Sequence, residues 1–379
     1  MAKLLMITGL GSAKDIASGK KGAFYYTLEE FHKYWDRIDI VVPRVKNSAT
    51  NLFGNVFIHS SPLPLIFHPL FFIYKILKLH GEFKFDLMTV QEFPPFYNGI
   101  GAWIVSVLAK IPYVLEIHHI PGYPKAGNVK EKVYRQLMNF FVRFDAKRAK
   151  MVRVVNQKET PDFLVKAGVP FKKIMYIPSA YIDLSVFKPM DLPKKYDLIF
   201  VGRLVENKGI NLLIKAVSKL RAKNEKLKVL IVGGGPLEGE LKSKIKSLKL
   251  QDTLMLYGRA KDSLEIARLL NESKILVMPS YNEGGPRVVV EAMACGVPVL
   301  ATSVGIVPDL LKNLPAGRQM ASGGEIIDWK AEDIAQKSFG LLNDSDKYQK
   351  YSQGGIQTAS QFERKESIKN YASKLEGIL

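Results

Sequence analysis

The stretch Ile275-Leu276-Val277-Met278-Pro279-Ser280-Tyr281-Asn282-Glu283-Gly284-Gly285-Pro286-Arg287-Val288-Val289-Val290-Glu291-Ala292-Met293-Ala294-Cys295-Gly296-Val297-Pro298-Val299-Leu300-Ala301 decides the fold. A short apolar run, 275–278, ends at a proline and predicts a buried strand. A glycine-rich loop carrying Glu283 follows, then a helix over 288–295 carrying Glu291, then a second apolar strand, 299–301. Strand, loop, helix and strand in that order form a parallel unit with its helix laid on the sheet.

The same alternation extends in both directions. Upstream, strands are expected at 198–201, 228–232 and 254–257, with helices over 210–222, 237–248 and 263–271. In the first half the strands are 4–8, 38–42, 87–90, 113–117, 151–155 and 174–177. A helix over 23–35 places Phe24, Leu28, Phe31 and Trp35 on one face. Another over 129–144 carries the stripe Val129, Val133, Leu137, Phe140 or Phe141, and Phe144. Residues 187–195, with two prolines and three lysines, read as a linker. A last helical pattern holds Ile368, Tyr371 and Leu375. There is no internal repeat. The expected fold class is α/β, with two doubly wound domains facing across a cleft. Their bounds are 1–187 and 188–355, and a terminal helix, 356–379, packs back on the first domain.

Composition agrees. At roughly 150 residues per domain, 379 residues make two domains. With 47% hydrophobic and 24% charged residues, each has enough apolar surface for a core, which excludes disordered and disulfide-scaffold classes. The single cysteine, Cys295, cannot form an intramolecular bridge, which fits a reducing cytoplasm. The net charge of +19 is uneven: residues 1–190 hold 26 basic and 14 acidic side chains (+12), and 191–379 hold 29 and 22 (+7). Such an excess asks for an anionic partner: nucleic acid, a membrane surface or a phosphorylated small molecule. No zinc spacing or RNA-binding signature accompanies the charge, so nucleic acid is not expected. The greasiest stretch, 62–74, is interrupted by Pro64, His68 and Pro69 and falls short of the roughly 20 residues a spanning helix needs. The N-terminal run 4–10 has the flanks of a signal peptide, but its apolar core is minimal and reads as a first buried strand.

In such sheets ligands bind where loops leave the carboxyl ends of strands. Gly9-Leu10-Gly11 lacks the third glycine of a dinucleotide fingerprint, having Lys14 there, and no acid closes the second strand. Gly233-Gly234-Gly235-Pro236 has Glu238 in that place. Neither loop is followed by the Lys-Ser/Thr of a phosphate-binding P-loop. Gly19-Lys20-Lys21-Gly22, just ahead of a helix, suits an anion. Glu283 and Glu291, held apart at one strand's carboxyl end, can accept hydrogen bonds from two sets of hydroxyls on one elongated ligand. A nucleotide sugar is such a ligand.

The run from Glu283 through Glu291 into "EAMACGVPVLAT" resembles the paired-glutamate motif of retaining glycosyltransferases of family 4, and Val201-Gly202-Arg203-Leu204-Val205-Glu206-Asn207-Lys208-Gly209 resembles their phosphate-binding segment. The resemblance covers nearly the whole chain and is strongest over 195–305. It implies the GT-B fold, two Rossmann-like domains with the donor held by the second. It also implies that Arg203 and Lys208 hold the donor diphosphate, that Glu291 binds the ribose and that Glu283 lies against the sugar. Gly284 and Gly285 would let main-chain N–H groups approach it, and Gly233, Tyr257, Gly258 and Pro286 would complete the donor site. Gly22 resembles the family's first glycine loop. Tyr113-Val114-Leu115-Glu116-Ile117-His118-His119 resembles its strand ending in a functional histidine, His118, with His119 its neighbour. The catalytic set implied is His118, Glu283, Arg203 and Lys208.

What the resemblance implies is transfer of a hexose-type sugar, with retention, from a UDP- or GDP-linked donor to a glycan or lipid-linked acceptor. No Asp-x-Asp stands in a suitable loop, so no metal or other cofactor is expected. A nucleotide-sugar epimerase and a non-catalytic carbohydrate- or membrane-binding protein are the alternatives; a phosphorylase would need a pyridoxal lysine motif that is absent. Two departures stand out. Pro178-Ser179-Ala180-Tyr181-Ile182-Asp183 replaces the family's turn glycine by bulky Tyr181, so the interdomain face and acceptor pocket should differ. The stretch Leu314-Pro315-Ala316-Gly317-Arg318-Gln319-Met320 stands where a Gly-Leu-Leu strand is usual and reads as an insertion. Finally, nine cations between Lys125 and Arg153 oppose Glu131 and Asp145, and the apolar residues of 63–79 lie upstream. Together they suggest a peripheral position on an anionic membrane, at the inner face of the cytoplasmic membrane.

Overall fold

A computed structural model of the chain describes residues 1–9, 16, 21–45, 51–311 and 322–379. Leu10, Gly11, Lys14, Gly19, Lys20 and the stretch 314–320 lie outside the described residues.

The first half contains strands β1 (Lys3–Ile7), β2 (Arg37–Val42), β3 (Asn51–Leu52), β4 (Val56–Ser60), β5 (Leu87–Gln91), β6 (Tyr113–Ile117), β7 (Met151–Val154) and β8 (Ile174–Tyr176). They form one sheet in the order β3-β4-β2-β1-β5-β6-β7-β8, parallel except where β3 runs against β4. Helices α1 (Ala23–Phe31), α2 (His68–Phe83), α3 (Asn98–Ala109), α4 (Val129–Arg148) and α5 (Glu159–Lys166) accompany it. In β1, Leu4 to Ile7 are all buried, as a strand covered on both faces requires. The run with signal-peptide flanks is thus a central strand, paired with β2 and β5.

The second half contains β9 (Tyr196–Val201), β10 (Val229–Val232), β11 (Leu254–Gly258), β12 (Ser273–Met278), β13 (Val299–Thr302) and β14 (Gly324–Ile327), in the order β11-β10-β9-β12-β13-β14. Its helices are α6 (Ile210–Arg221), α7 (Glu238–Ser247), α8 (Ser263–Asn271), α9 (Arg287–Ala294), α10 (Val307–Leu311), α11 (Ala331–Leu342) and α12 (Ser345–Ala359). The strand that the stretch 314–320 does not supply is β14, which pairs parallel to β13. Ala180, Ile182 and Phe187 are buried in this domain's core, ahead of the boundary expected at residue 187.

The last helix, α13 (Arg364–Glu376), returns to the first domain. Ile368, Tyr371, Ala372 and Leu375 form one buried face that joins Leu4, Phe31 and Ile38 in that core, and the Tyr371 ring stacks on Phe31 at 4.8 Å. The chain crosses between domains twice, side by side: Ile182 N–H donates to Phe362 O at 3.0 Å and Arg364 N–H to Ile182 O at 2.9 Å.

Two sequence readings need correction. In α4 the expected stripe is rotated in part: Val129, Val133 and Phe140 are exposed, while Met138, Val142, Asp145 and Ala146 are buried. Leu137 and Phe141 of that stripe do pack against the core and Phe144 lies against Trp103, so periodicity placed the later part of the stripe and misplaced the earlier part. Nor do the nine cations share a face. Arg153 is buried in β7, and Lys125 precedes α4, its ammonium over the rings of Tyr281 and Trp329 in the second domain. Among the described residues, no helix is long and apolar enough to cross a membrane.

Arg153 is buried because it answers Glu116. Their contact is 2.9 Å, and the Arg153 guanidinium also donates to the Tyr181 hydroxyl at 3.0 Å and lies over the Tyr371 ring. The Tyr371 hydroxyl donates to the same Glu116 carboxylate. Burial alone would raise the Glu116 carboxyl, but the charge of Arg153 and the bonds from His118 and Tyr371 hold it well below the carboxylate range.

The domains are also joined by reciprocal acid contacts. Gly305 N–H donates to Glu159 Oε2 at 2.9 Å, and Gln157 N–H to Asp309 Oδ2 at 2.7 Å. Burial pushes Glu159 up to about 8, against the Gly305 N–H and with the charges of Asp309 and Glu283 adding. Burial likewise pushes Asp309 up to about 6, opposed by the Gln157 N–H and Lys158.

These contacts set two expectations. Arg153→Met leaves a buried carboxylate without its cation and should destabilise the protein by about 3–5 kcal/mol, read from urea unfolding at pH 7. Because Glu116 is depressed in the folded state, its contribution is full above about pH 4 and lost on acidification, so the deficit should shrink below that pH. Glu159 and Asp309 act in the opposite sense. Their folded values exceed the unfolded ones, so their stabilisation is full below about pH 4 and lost as pH rises through 6 to 8. Melting temperature should fall between pH 5 and 8, and Glu159→Gln, whose amide oxygen still accepts from Gly305, should at least halve that slope. An unchanged slope would refute it.

Candidate functional site

Each sheet reverses its strand order once, between β1 and β5 and between β9 and β12. Loops leaving the carboxyl ends of such neighbours diverge to opposite faces and open a crevice.

At the second domain's crevice the two loops are stitched together. Tyr281 N–H donates to Asn207 O at 2.7 Å, and the Lys208 ammonium contacts the Glu283 carboxylate, whose Oε1 also accepts from Ser280 Oγ at 3.0 Å. Lys208 and Glu283 are 18% and 13% exposed, so the pair is well shielded. Gly209 makes the approach feasible: its φ is +66°, and a Cβ there would lie 2.0 Å from Pro279 O. Glu291 sits on the second turn of α9. Burial raises its carboxyl, with Arg287 offsetting from 3.9 Å.

Arg203 is exposed and lines a separate hollow of roughly 480 Å³ at the ends of β9 to β11, with Gly202, Gly233, Gly234 and Arg259. Tyr257 and Gly258 do not line it; the Tyr257 hydroxyl donates to Glu265 Oε1 at 2.7 Å.

At the first domain's crevice, Thr8 from β1's end, Gln91 from β5, and Glu116 and His118 at β6 line a cavity of roughly 170 Å³. Gly22 caps α1, whose first turn, Ala23 and Phe24, forms another wall. His118 Nε2 lies 3.3 Å from Glu116 Oε2. Arg287, Ser179 and Tyr181 close the cavity from beyond β8 and from the second domain.

The two crevices face each other and touch. A Cβ on Gly284 would fall 1.7 Å from His118 O, and one on Gly285 3.0 Å from Ser179 Oγ. The room these glycines leave is therefore taken by the other domain's edge. Asn282, fully buried, is the hub: its Nδ2 donates to Lys125 O at 2.9 Å and Glu131 Oε2 at 2.8 Å, so its Oδ1 must accept. That oxygen lies 2.9 Å from His119 Nε2 and 3.3 Å from Asn207 Nδ2. Burial pushes His119 down, so it is neutral and carries its proton on Nε2. His119 thus fastens the domains, while its neighbour His118 faces the cavity.

The structure brings Lys208, Glu283, Gly284 and His118 to one meeting point, with Glu291 one helix turn from Arg287. Arg203 and Gly233 stand in the adjoining hollow, Gly22 at the far wall, and Tyr257 apart. Among the described residues, no group of three or more His, Cys, Asp or Glu side chains is placed to hold a metal ion. Sequence reasoning missed Asn282, Arg259 and Arg287. Only Arg287 left a signal, a cation in a helix's first turn, where the dipole disfavours it.

Residues 186–358 match the family of glycosyl transferases group 1. An uncharacterized glycosyltransferase of Methanocaldococcus jannaschii is 28% identical over 298 residues, 74% of this chain and 71% of that protein. A putative colanic acid biosynthesis glycosyltransferase of Escherichia coli is 30% identical over 158 residues, 39% of this chain and 38% of that protein. The crystal structure of Anabaena HepE in complex with UDP and glucose superposes with a TM-score of 0.75 at 19% identity, over 99% of this chain and 100% of that one. The chain accordingly has the two-domain GT-B fold, and its C-terminal domain is similar to the glycosyl transferases group 1.

Proposed function

We propose that the protein transfers a hexose-type sugar from a UDP- or GDP-linked donor to a glycan or lipid-linked acceptor, with retention of configuration and without a metal ion. The observation that carries this reading is the shielded Lys208–Glu283 pair at the second domain's crevice. A donor diphosphate seated on Arg203 and Lys208 takes over the ammonium's charge and releases Glu283 to sugar hydroxyls. The bond from the sugar's anomeric carbon to the diphosphate breaks, one to an acceptor oxygen forms, the acceptor hydroxyl's proton passes to the departing diphosphate, and the cations stabilise the charge left on the nucleotide. Glu291, one helix turn beyond Arg287, suits the ribose. The UDP and glucose in the HepE complex, and the polysaccharide named for the E. coli relative, support the donor and acceptor classes.

Nucleotide release should require acceptor; an epimerase would turn over without it, and a binding protein would not turn over at all. Activity should persist in excess chelator, and the product anomer, read by NMR, should match the donor's. Within this scheme Arg203→Ala should weaken UDP binding at least tenfold by calorimetry. Glu283→Gln, which leaves Lys208 unpaired, should bind UDP no worse than wild type while turnover falls about a hundredfold. Weaker UDP binding in Glu283→Gln would overturn the exchange of partners.

The membrane reading rests on a different surface. Ile66, Leu70 and Tyr74 at and on α2, Val107 and Leu108 on α3, and Phe140 on α4 are all exposed. Lys78, Lys110, Arg143 and Lys147, also exposed, lie on or next to the same three helices. Exposed aliphatic and aromatic groups on three helices that also carry exposed cations suit shallow insertion into an anionic bilayer. Co-sedimentation with vesicles should need anionic lipid and decline between 0.1 M and 1 M salt, as the screening length falls from about 10 Å to about 3 Å. Replacing Arg143 and Lys147 by Glu should reduce it severalfold and leave UDP affinity intact. Indifference to anionic vesicles at low salt would make the acceptor a soluble glycan.

A further inference from the structure

The cavity between β1, β5 and α1 holds more positive charge than its own acids answer. Arg153, Arg364 and Arg287 line it with His118, and Glu116 is the only carboxylate among the described residues that line it. Two of the guanidinium groups are spoken for: Arg153 by Glu116, and Arg364 by Asp183. Arg287 is not. Its nearest acid among the described residues, Glu291, is 3.9 Å away, beyond hydrogen-bond range, and in the weaker order for a helical pair, cation before acid. Its Nε is enclosed and has no hydrogen-bond partner among the described residues.

One further enclosed polar atom of the same cavity lacks such a partner, Thr8 Oγ1. Enclosed donors are rarely left unpaired, and two around one cavity point to a ligand that satisfies them. Arg287 is also the first residue of α9, where the positive end of the helix dipole repels a cation. The first turn of α1 opens on the same cavity. Both helix ends, like the guanidinium, favour an anion.

We propose that this cavity binds an oxyanion, a phosphate or carboxylate group carried by the acceptor, with Arg287 as its principal partner. The assignment of the anion to the acceptor rests on the transferase reading above; the binding itself does not. Phosphate and carboxylate share the geometry that a guanidinium fork matches. The neighbouring Phe24 and Leu28 give the rest of the acceptor an apolar wall.

The test uses the full chain with UDP at saturation, so that the nucleotide's own phosphate site is filled. Inorganic phosphate and acetate are then titrated separately by calorimetry. Saturable binding of either is expected, weakened at least tenfold in Arg287→Gln and partly restored in Arg287→Lys, with UDP affinity equal in all three proteins. Phosphate alone binding identifies a phosphorylated acceptor; acetate binding too identifies an acidic sugar or other carboxylate. Phosphate displaced by UDP, retained in full by Arg287→Gln, or failing to bind at all together with acetate would overturn the proposal. A wild type that takes phosphate but not UDP would leave this site standing and refute the donor reading instead.

Discussion

A buried ion pair cannot be left half-finished, and the contact between Arg153 and Glu116 organises the first domain on that account. Two charges withdrawn from water at the ends of β6 and β7 demand that every remaining lone pair and N–H be met. His118 and Tyr371 serve the carboxylate, and Tyr181 and the carbonyls of Ile177 and Pro178 serve the guanidinium. Tyr371 belongs to the last helix and Tyr181 to the crossover after β8. The pair therefore fixes where the chain leaves the first domain and where it returns. The bulky tyrosine at a position where the resembling family carries a turn glycine has a reason in this chain: it answers a buried arginine.

The same constraint shapes the chemistry. The ends of β6 and β7 form the floor of the first crevice, so the groups that hold the helix in place also set the polarity of the cavity. Across the cleft, charge is balanced differently. Lys208 and Glu283 contact one another, and among the described residues no first-domain group hydrogen-bonds to either side chain; in the proposed reaction that pair exchanges partners when an anion enters. One ion pair is locked by its surroundings and the other is exchangeable, and that difference separates scaffold from site.

Much of the second domain from β9 to β13 was legible in the sequence because its strands centre on short apolar runs and the helices between them each have one apolar face. The paired glutamates and Lys208 were legible for a related reason: they lie in loops between strongly marked elements. The stripe of α4 was misread in part because Val129, Val133 and Phe140 are apolar yet exposed. Arg153 was counted as a surface cation because nothing local announces a carboxylate 37 residues upstream. Asn282 was passed over since its partners, His119, Lys125 and Glu131, lie more than 150 residues away. Contacts of that range depend on how two domains meet, and periodicity carries no information about that.

Net charge illustrates the point most sharply. The +12 of the first half reads as one basic field when cations are counted along the chain. In space it divides into separate populations. Arg153 is internal and cancelled, Lys125 is spent on the aromatic rings of the opposite domain, and Arg143 and Lys147 project from α4 into solvent. Arg287, from the half with the smaller excess, faces the first domain's cavity with no acid in hydrogen-bonding reach among the described residues. A cation's meaning thus follows from its nearest acid and its exposure rather than from the density of lysine and arginine around it. Here that criterion moves the anion-binding argument from the helix surface into the cleft.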